Sequence, residues 1–167
     1  MLQNLRFERN SFKQIEKKLK KKNLASTKRY YKNFIRNYLR LNKKYKFNEQ
    51  IDKKYIFNQI KILFEKKKIK HSLRLIPFGI KDNINTLNLD TKFGIKIRKK
   101  FKSGNDARVV NSIEENGGVI FSKLTCAEFA VHYIDKNKSL NPYNKNHIAG
   151  TSSTGSAVSV AVGPLPI

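Results

Sequence analysis

The pattern of apolar residues changes at Leu73, and this change divides the chain into two parts of different architecture. Before it, apolar residues recur every three or four positions, which is the spacing of one face of an α-helix. After it, short apolar runs are separated by turns rich in glycine, asparagine and serine, which is typical of alternating strands and helices. We therefore predict a basic helical region over residues 1–72 and an α/β domain over residues 73–167.

Three amphipathic stripes predict helices in the first part. Asn23 offers an N-cap for the second helix, and the segment 48–52 offers a start for the third. Aromatic and aliphatic residues at this spacing usually form a core, so we interpret the stripes as packing faces. The stripes consist of Phe12, Ile15 and Leu19, of Tyr31, Phe34, Ile35, Tyr38 and Leu39, and of Ile56, Ile60 and Leu63.

The second part predicts strands and helices in alternation, joined by brief turns. This order indicates an α/β fold with a mixed, mostly parallel sheet that is covered by helices. The predicted elements are a strand over residues 75–80, a cap over residues 103–106, a helix over residues 107–116 that ends at Gly117, a strand over residues 119–122 and a short helix over residues 125–132.

The chain is strongly basic, and its charge is concentrated in the first half. The formal net charge is +24, of which +19 lies in residues 1–80 and +5 in residues 81–167. A basic region of this kind can attract nucleic acid, anionic lipid or acidic partners. Its lysines interleave with the helical stripes and form no separate tail, which favours an ordinary solvated surface. Nucleic acid is therefore a candidate partner through residues 1–72 alone.

The cysteine count, the histidine positions and the hydropathy of the chain argue against a disulfide-bonded, metal-binding or membrane-spanning protein. A lone cysteine, Cys126, forms no internal disulfide, so we expect a reducing, cytoplasmic location and interpret Cys126 as a small buried residue. His71, His132 and His147 are far apart and have no acidic or cysteine neighbours at ligand spacing, so we expect no metal site. No apolar stretch approaches the length of a membrane span, and the N-terminus lacks the apolar core of a secretory signal.

One lysine and one cluster of small hydroxyl residues carry the candidate chemistry. Lys81 follows the first predicted strand, where desolvation favours the neutral amine that a general base requires. Serine needs such a base to act as a nucleophile. The run G-T-S-S-T-G-S over residues 150–156 supplies serines between glycines, although its composition is also typical of a linker. Lys81 with this run makes a rational hydrolase site, while a lysine at a strand end is also compatible with a plain surface position.

Residues 73–167 resemble the amidase signature family, the serine amidases that use a Ser–cis-Ser–Lys triad. The resemblance rests on segments that occur in the family's order and at comparable spacing. These segments are I-P-F-G-I-K-D-N over residues 76–83, D-A-R-V-V with E-N-G-G-V-I within residues 106–120, S-K-L-T-C-A-E-F-A over residues 122–130, and N-P-Y-N with G-T-S-S-T-G-S-A within residues 141–157.

The resemblance implies an incomplete amidase signature fold. It also implies that the full-length protein hydrolyses a small-molecule carboxamide through an acyl-serine intermediate, without cofactor or metal. Lys81 is implied as the base and Ser152 as the bridging cis-serine. The nucleophilic serine is implied to lie beyond residue 167, so we expect this chain alone to be inactive and poorly soluble. A homodimer is compatible with the resemblance. The residues implied to support the serine loop or the substrate are Gly150, Thr151, Ser153, Thr154 and Gly155.

Two alternatives stay open. The first is the A-subunit of a Glu-tRNA(Gln)/Asp-tRNA(Asn) amidotransferase, which shares this fold and releases ammonia from glutamine. That protein normally carries D-E-F where this chain has Ala127 before Glu128, and glycines where it has Thr151 and Thr154, so these departures favour a stand-alone amidase. The second is a non-enzymatic basic module that binds RNA or a membrane surface. Glu128 is a candidate general acid, and we favour a structural role beside the serine loop.

Overall fold

The computed structural model describes residues 11–65, 72–95, 102–131 and 139–166. Helices and strands alternate after an initial helical segment, so the predicted α/β class is confirmed. The elements in chain order are α1 (Phe12–Leu19), α2 (Leu24–Tyr45), β1 (Asn48–Gln50), α3 (Lys53–Glu65), β2 (Pro77–Lys81), α4 (Arg108–Glu115), β3 (Val119–Leu124), a 3-10 turn (Glu128–Ala130) and α5 (Thr154–Ala161).

Side-chain caps fix the starts of the first two helices. The Ser11 side chain accepts a hydrogen bond from the backbone of Gln14, and the Gln14 side chain accepts one from the backbone of Ser11, which forms a capping box at α1. Asn23 caps α2 as predicted, because its Oδ1 accepts from the Ser26 amide at 2.9 Å. The helix α2 ends at Tyr45, and the next residue, Lys46, adopts a left-handed conformation with φ of 56°.

The predicted start of the third helix over residues 48–52 is confirmed at Asp52 alone. Asn48–Gln50 forms the short strand β1 instead, because its backbone pairs with β3. The helix α3 begins at Lys53, where the Asp52 carboxylate accepts from the Lys54 amide at 2.8 Å and from the Tyr55 amide at 3.1 Å. Asp52, the last residue of the predicted start segment, is therefore the N-cap of α3.

The sheet is small and mixed, and β3 is its central strand. The strand order is β1-β3-β2, with β2 parallel and β1 antiparallel to β3. All of β3 is buried, and it extends two residues past the predicted end, to Leu124. The strand predicted over residues 75–80 is Pro77–Lys81, so Lys81 is the last residue of β2 and lies opposite Leu124 in register.

Two local predictions in the second part are wrong. The cap of α4 is Ala107 and uses no side chain, while Asp106 accepts from the Leu87 amide at 2.7 Å. The short helix predicted over residues 125–132 is only a 3-10 turn at Glu128–Ala130, because Phe129 and Ala130 both have positive φ angles and interrupt it. Its predicted last residue, His132, lies outside the described residues.

One continuous core joins the helical region to the sheet. The rings of Tyr31, Phe34 and Tyr38 on α2 surround Phe121 of β3, with ring centroids 4.9 to 6.4 Å apart. Tyr31 also donates its hydroxyl to the Leu75 carbonyl at 2.7 Å. All three predicted stripes contribute to this core, which confirms them as packing faces. Within the described ranges, no helix has the length and hydropathy that crossing a bilayer requires.

Candidate active site

Lys81 and Ser152 are in direct contact. The Lys81 Nζ donates a hydrogen bond of 2.7 Å to the Ser152 Oγ, and both residues are partly buried. Lys81 reaches this position because it ends β2, while Ser152 lies in the loop before α5. The peptide bond from Thr151 to Ser152 is cis. Two residues that are far apart in the sequence thus form one polar pair.

The backbone around Ser152 is held from two sides. The Ser152 carbonyl accepts a hydrogen bond of 3.1 Å from the Ala127 amide, which follows β3. On the other side, the Gly155 amide donates to the Thr125 carbonyl at 2.9 Å. A Cβ on Gly155 would lie 2.5 Å from both the Phe47 carbonyl oxygen and the Thr125 nitrogen, so only glycine fits there. The serine loop is therefore docked on the end of the central strand.

The other predicted loop residues differ in exposure. Thr154 and Gly155 are buried in the first turn of α5, and Thr151 is partly buried. Ser153 is exposed at the N-cap position of α5, where its side chain makes no capping hydrogen bond. Gly150 has a φ of +90° and borders open space. The side chain of Ser152, between Thr151 and Ser153, reaches Lys81.

Lys123 is a buried lysine that sequence reasoning missed as a functional candidate. Its side chain is fully enclosed, and its Nζ donates to the Ile84 carbonyl, to Thr91 Oγ1 at 3.0 Å and to Thr86 Oγ1 at 3.3 Å. Burial lowers the pKa of Lys123 from 10.5 to about 8, and the Asp82 carboxylate acts in the opposite direction. The signal that could have found it is a lysine inside a strand that is otherwise buried throughout.

Asp82 is a second buried charge next to the candidate base. Its carboxylate accepts hydrogen bonds from the Lys92 amide at 3.2 Å and from the Gly94 amide at 2.9 Å. Burial raises the pKa of Asp82, while those backbone hydrogen bonds and the charge of Lys123 lower it. Asp82 follows Lys81 directly, so this carboxylate ties the residues after the candidate base to Lys92 and Gly94.

Further residues that could bear on the site lie on the segments around the serine loop. Cys126 is buried, and Glu128 is partly buried in the 3-10 turn beside the serine loop. Ser159 donates its hydroxyl to the Ser156 carbonyl at 3.0 Å, within α5. The described part of the chain contains no cluster of three or more histidine, cysteine or acidic side chains that could hold a metal ion, and His71 and His132 fall outside it.

The chain matches a known family over most of its length. The family model named Amidase matches residues 29–167. The glutamyl-tRNA(Gln) amidotransferase A-subunit of Lysinibacillus sphaericus is 42% identical over 95 residues, which is 54% of this chain and 20% of the relative. The corresponding protein of Clostridium novyi is 34% identical over 125 residues, or 70% of this chain and 26% of the relative. The chain thus spans about a fifth to a quarter of the length of these relatives.

Solved structures share the fold. The peptide amidase of Stenotrophomonas maltophilia superposes with a TM-score of 0.75 at 20% identity, over 93% of this chain and 34% of that one. An amidase family protein of Bacillus anthracis gives a TM-score of 0.76 at 20% identity, over 96% of this chain and 34% of that one. At a sequence identity of 20%, these superpositions show a shared fold and no more. The match of the family model over most of the chain shows that this chain belongs to the amidase family.

Proposed function

We propose that Lys81 and Ser152 form the proton relay of an enzyme that hydrolyses a carboxamide C–N bond through an acyl-serine intermediate. The single observation that supports this most directly is the hydrogen bond of 2.7 Å between the Lys81 Nζ and the Ser152 Oγ. A hydroxyl in contact with an amine can pass a proton from a nucleophile to that amine. Membership of the amidase family supports the same reaction class.

The relay moves one proton in two transfers, from the nucleophilic serine to Ser152 and from Ser152 to Lys81, and later returns it by the reverse transfers to the leaving amine. In the neutral form of Lys81, the amine takes the Ser152 hydroxyl proton while Ser152 takes the proton of the nucleophilic serine, whose oxygen attacks the amide carbon. On collapse of the tetrahedral intermediate, the proton returns through Ser152 to the leaving amine, and water later hydrolyses the acyl ester. We propose that the nucleophilic serine lies outside these 167 residues, so this chain alone does not complete the cycle.

The neighbouring loop residues have a supporting role in this proposal. The buried Thr154 and Gly155 anchor the loop against the end of the central strand. Gly150, Thr151 and Ser153 lie nearer its open side, where a small-molecule amide would approach. We propose that the reaction takes place in the cytoplasm and needs no cofactor or metal, and that the protein can act as a homodimer.

A second candidate is the glutamine-hydrolysing component of an amidotransferase. The names of the sequence relatives favour it, because those relatives are A-subunits of glutamyl-tRNA(Gln) amidotransferase. The Ala127 and the threonines 151 and 154 favour the stand-alone amidase. Both candidates use the same relay and differ in the amide that is cleaved and in what receives the ammonia.

The test compares relay variants within a catalytically complete protein that contains these 167 residues. Ammonia release is measured with glutamine and with simple aliphatic and aromatic carboxamides. We expect Lys81→Ala and Ser152→Ala each to lower kcat by about a thousandfold, because each removes a member of a unit that acts together. Glutamine as the preferred substrate would support the amidotransferase, and a simple amide would support the stand-alone enzyme.

Two surface substitutions serve as controls. Lys61→Ala removes an exposed lysine that pairs with Glu65 at 3.7 Å, and Ser112→Ala removes an exposed hydroxyl on α4. Both should retain the unaltered kcat, since surface substitutions of this kind have small effects. Undiminished hydrolysis in Lys81→Ala or Ser152→Ala would refute the assigned relay.

A further inference from the structure

We propose that Lys123 and Asp82 are positioning residues that hold the candidate base and the bridging serine in register through the loop of residues 82–95. We name this segment the clamp loop. It begins directly after Lys81, and its far end lies against the segment that binds the Ser152 backbone. The proposal rests on the relay proposed above, but its structural readout is independent of amide hydrolysis.

The first step in the argument is the enclosure of the Lys123 ammonium by the clamp loop. A lysine ammonium has three donor hydrogens. The oxygens that receive them all belong to the clamp loop, namely those of Ile84, Thr86 and Thr91. A buried charge is retained only where its donors are satisfied. The three hydrogen bonds from the buried Lys123 ammonium therefore fix the conformation of the clamp loop around it.

The second step is the closure of the clamp loop by Asp82. Its carboxylate, at the start of the loop, accepts from the Lys92 and Gly94 amides at the end of the loop. The Asp82 amide donates to the Leu124 carbonyl at 2.9 Å, which fixes the same residue to β3. One carboxylate thus joins the two ends of the loop directly beside Lys81.

The third step connects the clamp loop to Ser152. The Phe93 carbonyl accepts from the Phe129 amide at 2.8 Å. Gly94 has a φ of +72°, and a Cβ there would lie 2.6 Å from the Cys126 carbonyl oxygen and 2.8 Å from that of Ala127. Ala127, which Gly94 approaches in this way, donates its amide to the Ser152 carbonyl. The loop therefore links both members of the relay through backbone contacts.

The charges around Lys123 favour its ammonium form in this role. Burial is the largest influence and lowers the pKa of Lys123, and the carboxylates that oppose it are Asp82 first, then Asp90 and Asp106. Asp90 also has an outward contact, because its carboxylate lies 3.9 Å from the Lys92 Nζ. Lys123 does not touch Ser152, and it neighbours Leu124, which lies opposite Lys81 across the sheet. It acts on the relay through the clamp loop and not as a proton carrier.

The experiment measures backbone amide exchange and lysine side-chain signals in an isotopically labelled, catalytically complete protein that contains these 167 residues. We compare Lys123→Met with the unaltered chain after correction for global stability from urea unfolding. We expect the Ala127 and Phe129 amides to exchange about tenfold faster or more, because their acceptors lose a fixed position. The Lys81 ¹³Cε signal should shift at the same time. The Ile120 amide, which donates to the Gln59 side chain at 2.8 Å, should keep its protection.

Tyr38→Phe is the matched control. It removes a buried hydroxyl that contacts Ser122, the residue before Lys123, but it leaves the clamp loop untouched. Its loss of global stability should therefore not be accompanied by faster exchange at Ala127 or by a change in the Lys81 signal. A folded Lys123→Met chain with unchanged Ala127 exchange, Phe129 exchange and Lys81 signal would overturn the proposal.

Acceptor variants keep the proposal testable if Lys123→Met does not fold. Thr91→Val and Thr86→Val each remove one hydroxyl acceptor and leave the lysine in place. We expect the same amides to lose protection, by a smaller factor, and unchanged protection in both would again overturn the proposal. In the catalytically complete protein, Thr91→Val should lower kcat about tenfold at constant KM. Loss of hydrolysis on Lys81→Ala without this effect would leave the relay standing and remove the clamp.

Discussion

Gly155 lies at the closest approach between the serine loop and the central strand. Adding a Cβ would bring it within 2.5 Å of backbone atoms of Phe47 and Thr125, and backbone atoms cannot move aside as a flexible side chain can. We expect Gly155→Ala to lower the free energy of unfolding by about 3 kcal/mol, since overpacking of this severity distorts a core. Urea unfolding followed by circular dichroism measures this change.

Gly104 provides the matching control for that substitution. It has a φ of +76°, and a Cβ there would meet no atom within 4 Å. Gly104→Ala therefore carries only the conformational cost of a positive φ, which is about 1 kcal/mol. Equal losses of stability in the two alanine variants would contradict the steric explanation for Gly155.

Individual residues were predictable from the sequence where a motif named them. Lys81 and Ser152 were both identified, and they are in contact. Their chemical roles stay predictions. Lys123 belongs to one of the family-like segments, but its importance depends on acceptors from residues 84, 86 and 91. No spacing rule indicates that a loop folds back over a lysine of a later strand.

The helix α2 is joined to the sheet by a buried polar network as well as by its aromatic stripe. The Tyr38 hydroxyl lies 2.7 Å from Ser122 Oγ and 2.8 Å from the side-chain amide of Asn48. Burial raises the pKa of Tyr38 well above its usual value, so the phenol stays protonated. Because Asn48 belongs to β1 and Ser122 to β3, the Tyr38 hydroxyl connects α2 to both strands.

A double-mutant cycle should show this coupling. Tyr38→Phe leaves the Ser122 hydroxyl buried without that partner, and we expect it to cost about 1–3 kcal/mol. Combining it with Ser122→Ala should cost about 1 kcal/mol less than the sum of the single changes. Equilibrium urea unfolding of the four proteins gives the coupling. Strict additivity would show that the two hydroxyls do not interact.

Helices with a regular spacing of apolar residues were predictable from the sequence. Elements that are defined by contacts with residues far along the chain were not. The stripes gave α1, α2 and α3 because each has a buried face. The strand β1 has three residues and no apolar alternation, so only its pairing with β3 defines it. The 3-10 turn depends on positive φ angles at Phe129 and Ala130, which tertiary contacts impose on residue types that rarely adopt them.

The polar face of α2 carries the positive charge that composition indicated. Arg29, Lys32, Arg36 and Arg40 are exposed on the side away from the aromatic stripe. This arrangement fits a solvated surface and leaves the same side chains accessible to an anionic partner. Binding of nucleic acid or of a membrane surface by residues 1–72 stays a prediction.

At the scale of the whole molecule, stability should pass through a maximum in alkaline solution. Burial lowers the pKa of Lys123 to about 8 from 10.5, so the unfolded chain binds more protons between these values and stability rises with pH. Burial raises the pKa of Tyr30 from 10.0 to about 12 and that of Tyr31 further. Above pH 10 the unfolded chain releases those protons first, and stability falls.

Urea midpoints measured from pH 7 to 11 test this expectation. Lys123→Met should abolish the rise between about pH 8 and 10 and keep the fall above it, whereas Tyr30→Phe should reduce the fall. A stability that does not change between pH 8 and 10 in the unaltered chain would show that Lys123 is not perturbed as its burial requires.

The division of the chain at residue 72 stays a prediction. The family model already matches from residue 29, and β1 of the first part pairs with β3 of the second. The core also runs without a break from α2 to the sheet. The change of sequence pattern at Leu73 therefore lies inside one packed body, with β1 before it and α4 and α5 after it.

The central position of β3 has a consequence for the order in which the chain is made. Both of its partner strands are synthesised long before it, and the α2 aromatic stripe packs on its Phe121. Until residue 124 has been synthesised, neither β1 nor β2 has its hydrogen-bonding partner, and the α2 rings lack the Phe121 ring against which they pack. The nascent chain therefore carries part of an apolar helix face without its strand partner until residue 124 has been synthesised, and exposed apolar surface of this kind favours aggregation or the binding of chaperones.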